Sequence, residues 1–336
     1  MNTTTTTGPS ELLDSIVTVL TEAKKVLVVA HLIPDGDTLG SLSALLSAFG
    51  AQGIEAVGCC DDAVPRIYRF LPGMEQVYRP ESMPAGPFDV VVVVDCGDLG
   101  RVGNVRPWLE KADKVVNIDH HVGNTAFGQI NWLDPSAAAT GEMILTLIEH
   151  AQWPIDEQIA TALYTSLVTD TGSFRFSNTT PMTMRRAALL RERGAEVNRI
   201  TSEIYERRSL ASLRILAAAL PTMTLSADGR IAWLSVSISD MERFGAVQED
   251  LEGLIDYPRS IDGVEIAILF RQLDAQHVKV GLRSTGAADV NAVARQFGGG
   301  GHRKAAGCTF IGGLEPAVAA VVPAVQQVLT PGPLER

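Results

Sequence analysis

Eight residues able to bind a hard cation stand at the ends of short apolar runs in this chain. His31, Asp35 and Asp37 follow the run 26–30, and Asp95 follows the five valines 90–94. Asp119, His120 and His121 follow the run 115–118, and Asp170 is the polar end of a stripe formed by Ile159, Leu163 and Leu167. Short β-branched runs read as buried strands, and open α/β sheets bind ligands at the carboxyl ends of their strands. Taken singly, each group has a structural explanation. Asp35 and Asp37 are ordinary turn formers, Asp95 a helix cap, Asp119-His120-His121 a surface turn and Asp170 a helix-terminal residue. Taken together they need a cation, because carboxylates gathered at one sheet edge repel and one would otherwise stay protonated.

Oxygen and imidazole donors without thiolate select magnesium, manganese or iron over structural zinc. The histidine content favours manganese, with magnesium as the substitute. So many donors fit two ions sharing one carboxylate, an arrangement that clamps the attacking and leaving oxygens of an in-line phosphoryl displacement. The chemistry expected is hydrolysis of a phosphate ester or anhydride.

A second constellation lies far along the chain. Four consecutive glycines, 298–301, lead into His302, Arg303 and Lys304. Such a run is either a hinge or a place where backbone N–H groups meet a phosphate or sugar at close range. Between Arg271 and Lys304 there are six Lys/Arg against two Asp/Glu, in a protein of net charge −11. An anionic substrate held between this patch and the metal edge fits both features.

The elements that must position these groups follow from periodicity. Helices are expected over 11–23, 39–49 (capped by Asp37 or Thr38), 136–150 and 156–171, with strands at 26–30, 54–59, 90–94 and 115–118. Their alternation implies a doubly wound, mostly parallel sheet. A helical, arginine-rich stretch over 183–220 leads to a different rhythm. Strands are expected at 231–236, 264–270, 278–282 and 308–311, with helices at 290–297, capped by Asp289, and 315–329. Along 278–282, Val278, Val280 and Leu282 face inward and His277, Lys279 and Arg283 fall on the other face. The expected organisation is a disordered tail (1–10), an α/β metal-binding catalytic domain (11–195), a helical linker (196–225) and a smaller α+β substrate-binding domain (226–330).

The chain is long enough for two cores. Its acidity argues against a surface for long duplex nucleic acid. Four cysteines, Cys59, Cys60, Cys96 and Cys308, form no C-x-x-C pair, which excludes a disulfide framework and fits a reducing cytoplasm. The threonine-rich start lacks the basic and apolar regions of a signal peptide. No apolar stretch reaches the roughly 20 residues of a membrane span, so a soluble protein is expected.

The order of the motifs His31-x-x-Pro34-Asp35-Gly36-Asp37, Val94-Asp95, Asp119-His120-His121, Thr169-Asp170-Thr171-Gly172 and the glycine run ending at Gly307 resembles DHH-family phosphoesterases with a DHH-associated C-terminal domain. Within them it is most similar to the NrnA-type branch of nanoRNases and pAp phosphatases. The compact length and the lack of a membrane segment separate it from RecJ-type exonucleases and from membrane cyclic-dinucleotide phosphodiesterases. The resemblance implies His31, Asp35 and Asp95 on one manganese ion, and Asp37, Asp95, His120 and Asp170 on the other. It implies Asp119 as support for an imidazole and His121 facing the scissile phosphate. Arg283, Ser284, Gly300, Gly301 and His302 would hold the far end of the substrate, with Arg101 and the segment 173–178 as walls of the cleft. Short RNA oligonucleotides and nucleotide bisphosphates are the implied substrates, and a homodimer the implied assembly. The alternatives are a soluble phosphodiesterase for cyclic or linear dinucleotides such as pApA and, in another class, a non-catalytic nucleotide- or RNA-binding module.

Overall fold

A computed structural model describes residues 9–84 and 86–329. Residues 1–8 of the expected tail and the last residues of the chain lie outside this range. The chain divides into two compact units between Arg207 and Arg208.

In the first unit, six described strands form one sheet: β1 (Lys25–Val29), β2 (Glu55–Cys59), β3 (Val77–Tyr78), β4 (Val90–Val94), β5 (Lys114–Asp119) and β6 (Ile130–Leu133). Their order is β3-β2-β1-β4-β5-β6, and every pairing is parallel. The order reverses between β1 and β4, which opens a crevice at their carboxyl ends, the usual ligand site of a doubly wound sheet. β4 shows why a run of valines folds this way. Val92 and Val94 pack in one core with α1 (Pro9–Glu22), α2 (Gly36–Gln52), α4 (Thr140–His150) and α5 (Glu157–Asp170). Val91 and Val93 point to the opposite core, under residues 99–109, which include the short α3 (Arg106–Leu109). A central parallel strand buried on both faces has no use for polar alternation.

Several boundaries differ from expectation. The N-cap of α2 is Asp35, whose Oδ1 accepts from the N–H groups of Asp37 and Thr38. α4 begins at Thr140, because Asp134 holds the N–H and hydroxyl of Ser136 in a turn ahead of it. β3 and β6 were not expected; both are half-buried edge strands without a clean apolar alternation. The helical stretch 183–220 is broken, and 196–225 is not one linking helix. α6 (Pro181–Glu192) ends before Gly194, whose φ of 103° favours glycine. α7 (Val197–Thr201) and a π-helical turn (Ser202–Glu206) follow in the first unit. Arg207 is then extended, and Ser209 caps α8 (Leu210–Ala219) in the second.

The second unit is a mixed sheet with helices on both faces. Its strands are β7 (Thr224–Leu225), β8 (Ile231–Val236), β9 (Ile266–Gln272), β10 (His277–Ser284), β11 (Gly300–His302) and β12 (Ala305–Ile311), in the order β11-β12-β10-β9-β8-β7. Among the described strands of this second sheet, only β8 and β9 pair in parallel. Two further helices, α9 (Ile238–Phe244) and α10 (Asp256–Arg259), precede β9, and α11 (Val290–Gln296) and α12 (Leu314–Val328) follow β10 and β12. α11 and α12 cover Val278, Val280 and Leu282 on one face. α8 packs with Leu234 and Val236 on the other.

Candidate active site

The crevice of the parallel sheet gathers the residues that close its strands. His31 follows β1, Asp95 follows β4, Asp119 ends β5 with His120 and His121 after it, and Asp170 ends α5. Asp35 and Asp37 lie at the start of α2. Donor atoms of His31, Asp35 and Asp95 lie close enough to share one cation, as do those of Asp37, His120 and Asp170 and those of Asp95, His120 and His121. Asp95 is common to two of these groups. It is also the strained residue of the set, with a φ of +58°. Left-handed backbone at a non-glycine residue costs of order 1–3 kcal/mol and persists only where the surroundings hold it. Here the Asp95 N–H donates to Ile118 O on the neighbouring strand, and Thr140 Oγ1 donates to its Oδ1 at 3.1 Å.

Backbone contacts set which imidazole nitrogen faces the crevice. His31 Nδ1 donates to Leu32 O at 2.8 Å, which turns Nε2 toward Asp95 Oδ2 (3.3 Å) and Asp35 Oδ1 (3.8 Å). His120 Nδ1 donates to Ala137 O, and its Nε2 lies 3.5 Å from Asp95 Oδ1, 3.6 Å from Asp37 Oδ2 and 3.8 Å from Asp170 Oδ2. His121 is oriented differently. Its Nδ1 is 2.5 Å from Asp119 Oδ1 and 3.6 Å from Asp95 Oδ1. Asp119 is itself fixed by Asn124 Nδ2 at 2.6 Å.

Electrostatics explain why these groups want a cation. Burial pushes Asp95 well above the usual carboxylate range, and the charges of Asp37, Asp35 and Asp170 push it further. Burial and Asp37 raise Asp170 to about 7, against the pull of His120. Burial disfavours charge on His120, but Asp37 and Asp170 outweigh it and hold its pKa above the ordinary value. His31 is lowered by burial, with Arg101 adding to the effect and Asp35 opposing it. Burial also acts on Asp119, yet the hydrogen bonds from His121 and Asn124 keep it below the usual range. The donor set of buried carboxylates and Nε2 atoms, with no thiolate, fits hard or borderline divalent ions.

A pH dependence follows for the metal-free protein. Asp95, Asp170 and His120 have folded pKa values above their unfolded ones. Their stabilising contribution is present at low pH and is lost as pH rises through those folded values, about 7 for Asp170. His31 runs the other way. Cations need the deprotonated ligands, so the gain in melting temperature on adding manganese should be larger at pH 8 than at pH 6. An equal or larger gain at pH 6, read by thermal denaturation, would contradict this picture.

The structure adds Thr140, Gly141 and Ser166, which the motifs did not point to, and gives partners to Asn178 and Arg101, which were expected as walls of the cleft. Asp37 sits at the N-terminus of α4, accepting from the N–H of Thr140 (2.7 Å) and of Gly141 (3.0 Å), and Ser166 Oγ on α5 donates to it at 2.5 Å. Asn178 Nδ2 donates to Asp170. Arg101 stands behind His31, with Nη2 3.0 Å from Nδ1. Because that Nδ1–H already donates to Leu32, Arg101 contributes positive charge there and not a hydrogen bond.

In the second unit, His302, Ala305 and Arg283 occupy one row across three strands. Arg283 is flanked by Asp256, Arg259 and Glu252, and burial holds its guanidinium below its ordinary pKa. Ser284 is not brought together with it. It is the last residue of a strand that alternates between faces, so it lies on the side of Val278, Val280 and Leu282, buried and with no partner for Oγ among the described residues. Gly300 and Gly301 lie on the edge strand β11, paired with Gly307 and Ala306.

Residues 25–167 match the DHH family, N-terminal domain, and residues 231–330 match the DHHA1 domain. The chain is 35% identical over 307 residues to the bifunctional oligoribonuclease and PAP phosphatase NrnA of Thermus thermophilus, covering 91% of this chain and 90% of the relative. The chain belongs to the DHH family. It is a DHH phosphoesterase of the NrnA type, and so a metal-dependent hydrolase. The NrnA of Bacillus subtilis is 27% identical over 288 residues, covering 83% and 87% of the two chains. Among solved structures, an exopolyphosphatase-related protein from Bacteroides fragilis superposes with a TM-score of 0.88 at 26% identity, over 94% of this chain and 96% of that one. No helix among the described residues of this DHH phosphoesterase is long and apolar enough to cross a membrane.

Proposed function

We propose that this DHH phosphoesterase uses two manganese ions to degrade very short RNA to mononucleotides and to remove the 3′-phosphate of 3′-phosphoadenosine 5′-phosphate. The observation that carries the reading is the position of Asp95, buried, strained and shared between two donor groups. It is supported by the relation to NrnA enzymes along nearly the whole chain. His31, Asp35 and Asp95 would hold one ion, and Asp37, Asp95, His120 and Asp170 the other. When bound, such ions neutralise phosphoryl oxygens and acidify water.

The remaining work falls to side chains. Asp119 holds His121 in one tautomer and orientation, as a carboxylate does for a catalytic imidazole. His121 then presents its other nitrogen to a non-bridging oxygen or to the leaving oxygen, where it can hold or give a proton. Thr140, Gly141 and Ser166 keep Asp37 in place by donating to it. Arg283 and His302, sharing a row of the second sheet, would bind the far phosphate or terminal nucleotide.

One panel tests the reading: RNA two- to five-mers, longer RNA, pAp, and linear and cyclic dinucleotides, each with manganese or magnesium. Fastest turnover of the shortest RNAs and of pAp, with manganese, is the expected result. Preference for a cyclic dinucleotide over every linear substrate would replace it with the phosphodiesterase alternative. No metal-dependent hydrolysis of any of them would leave a binding module.

A further inference from the structure

Two cations on the second sheet have no anionic partner. Arg271 on β9 and Lys279 on β10 are directly paired across the strands, and neither forms an ion pair among the described residues. Arg271 Nε is buried and without a hydrogen-bond partner, and only burial bears on its guanidinium, lowering its pKa; no carboxylate does. Like charges directly opposed on an antiparallel pair destabilise it, and a buried donor left unpaired is costly. Such a pair is tolerated where an anion completes it.

The negative charge on that face lies two rows away, where Asp256 and Glu252 flank Arg283. In the same row β12 contributes Thr309, which is exposed. The next row holds Gly307, Gly281 and Leu269, and the one beyond it Ala305, Arg283 and Ala267. Asp274, in the β9–β10 hairpin, is taken by His277 Nδ1 at 2.8 Å and by the N–H of Gln276. The core on this face takes in Leu234, Val236 and Leu269, and Ile255 lies over Gly281. Thr309 is exposed and Lys279 half-buried, so this row of the sheet reaches solvent.

We propose that Arg271 and Lys279 form a phosphate subsite for the backbone of a single-stranded oligoribonucleotide, separate from Arg283. This rests on the oligoribonuclease reading. A guanidinium and an ammonium side by side suit the several oxygens of one phosphate. Lys279 and Arg283 are four residues apart on one face of a strand, roughly 13 Å. With one phosphate at Arg283, the pair would take another about two nucleotides farther along the same chain. It is thus a site for chains longer than a dinucleotide.

The test compares the full-length wild type with the double variant Arg271→Ala/Lys279→Ala on 5′-phosphorylated RNA dimer and pentamer, with manganese, at several salt concentrations. The pentamer-to-dimer KM ratio should rise about 10-fold, the size of a lost charge-assisted phosphate contact. The slope of log(1/KM) against log[salt] for the pentamer should flatten by about 1.4, from about 0.7 per cation on a single strand. Because the pair repels itself, the melting temperature should not fall, and Arg271→Lys/Lys279→Arg should restore the slope. An unchanged ratio and slope would overturn the proposal. If the wild type cleaves no RNA, the oligoribonuclease reading fails by itself. The subsite is then judged by anisotropy of a labelled RNA pentamer without divalent cation: a flattened salt slope in the double variant upholds it, and an unaltered slope overturns it.

Discussion

Asp95→Asn should lower kcat by about 10³-fold or more, the loss expected when several kcal/mol of charge stabilisation leave the site, while making the metal-free protein more stable. The two effects share one cause. Asp95 is buried among Asp37, Asp35 and Asp170, and its carboxylate is disfavoured both by burial and by those neighbours. An amide keeps the shape and can accept from Thr140 Oγ1 as the carboxylate does, but it brings no charge. Without metal at pH 8 the variant should melt about 3 °C above the wild type, corresponding to about 1 kcal/mol of relieved repulsion. With manganese the order should reverse, because only the wild type gains the shared ligand. Near-normal turnover in Asp95→Asn would remove the shared-carboxylate assignment. A lower melting temperature in the metal-free variant would show that repulsion is not what the cation relieves.

How much of this could be read from the chain alone depends on the kind of signal each residue carries. The valine run of β4 announces a strand buried on both faces, and the polar residues after such runs are placed by topology at one edge. That is why the donors His31, Asp95, His120 and Asp170 could be named together. Thr140, Gly141 and Ser166 carry no such mark. They reach Asp37 through backbone N–H groups and a hydroxyl that only the packing of α2, α4 and α5 brings near. The partner of Asp119 was open between two adjacent imidazoles, and only side-chain direction selects His121. Arg283 and Ser284 are neighbours in sequence, so a motif reads them as one feature. The strand continues through both, and its period of two sends them to opposite faces. The stretch 183–220 is rich in good helix formers, which hid the breaks at Gly194 and Arg207.

The second large effect concerns two glycines on one helix. A Cβ at Gly40 would lie 2.6 Å from Ala162 O and 2.9 Å from Ser166 N, both backbone atoms of α5. Neither can rotate away, so Gly40→Ala must separate α2 from α5. Overpacking of this kind typically costs 1–3 kcal/mol, and with backbone on the far side the upper end is expected: about 3 kcal/mol, or a fall of about 9 °C. The same substitution at Gly50 meets nothing within 4 Å. There, alanine in place of glycine within a helix should stabilise by roughly 0.5–1 kcal/mol. The consequence reaches the active site, because α2 carries Asp37 while α5 carries Ser166 and Asp170. Moving the helices apart stretches the 2.5 Å contact from Ser166 Oγ to Asp37, so Gly40→Ala should also reduce the manganese-induced rise in melting temperature, whereas Gly50→Ala should preserve it. Equal behaviour of the two variants would mean that the close approach of α2 and α5 is not what sets Asp37 against its hydrogen-bond donors.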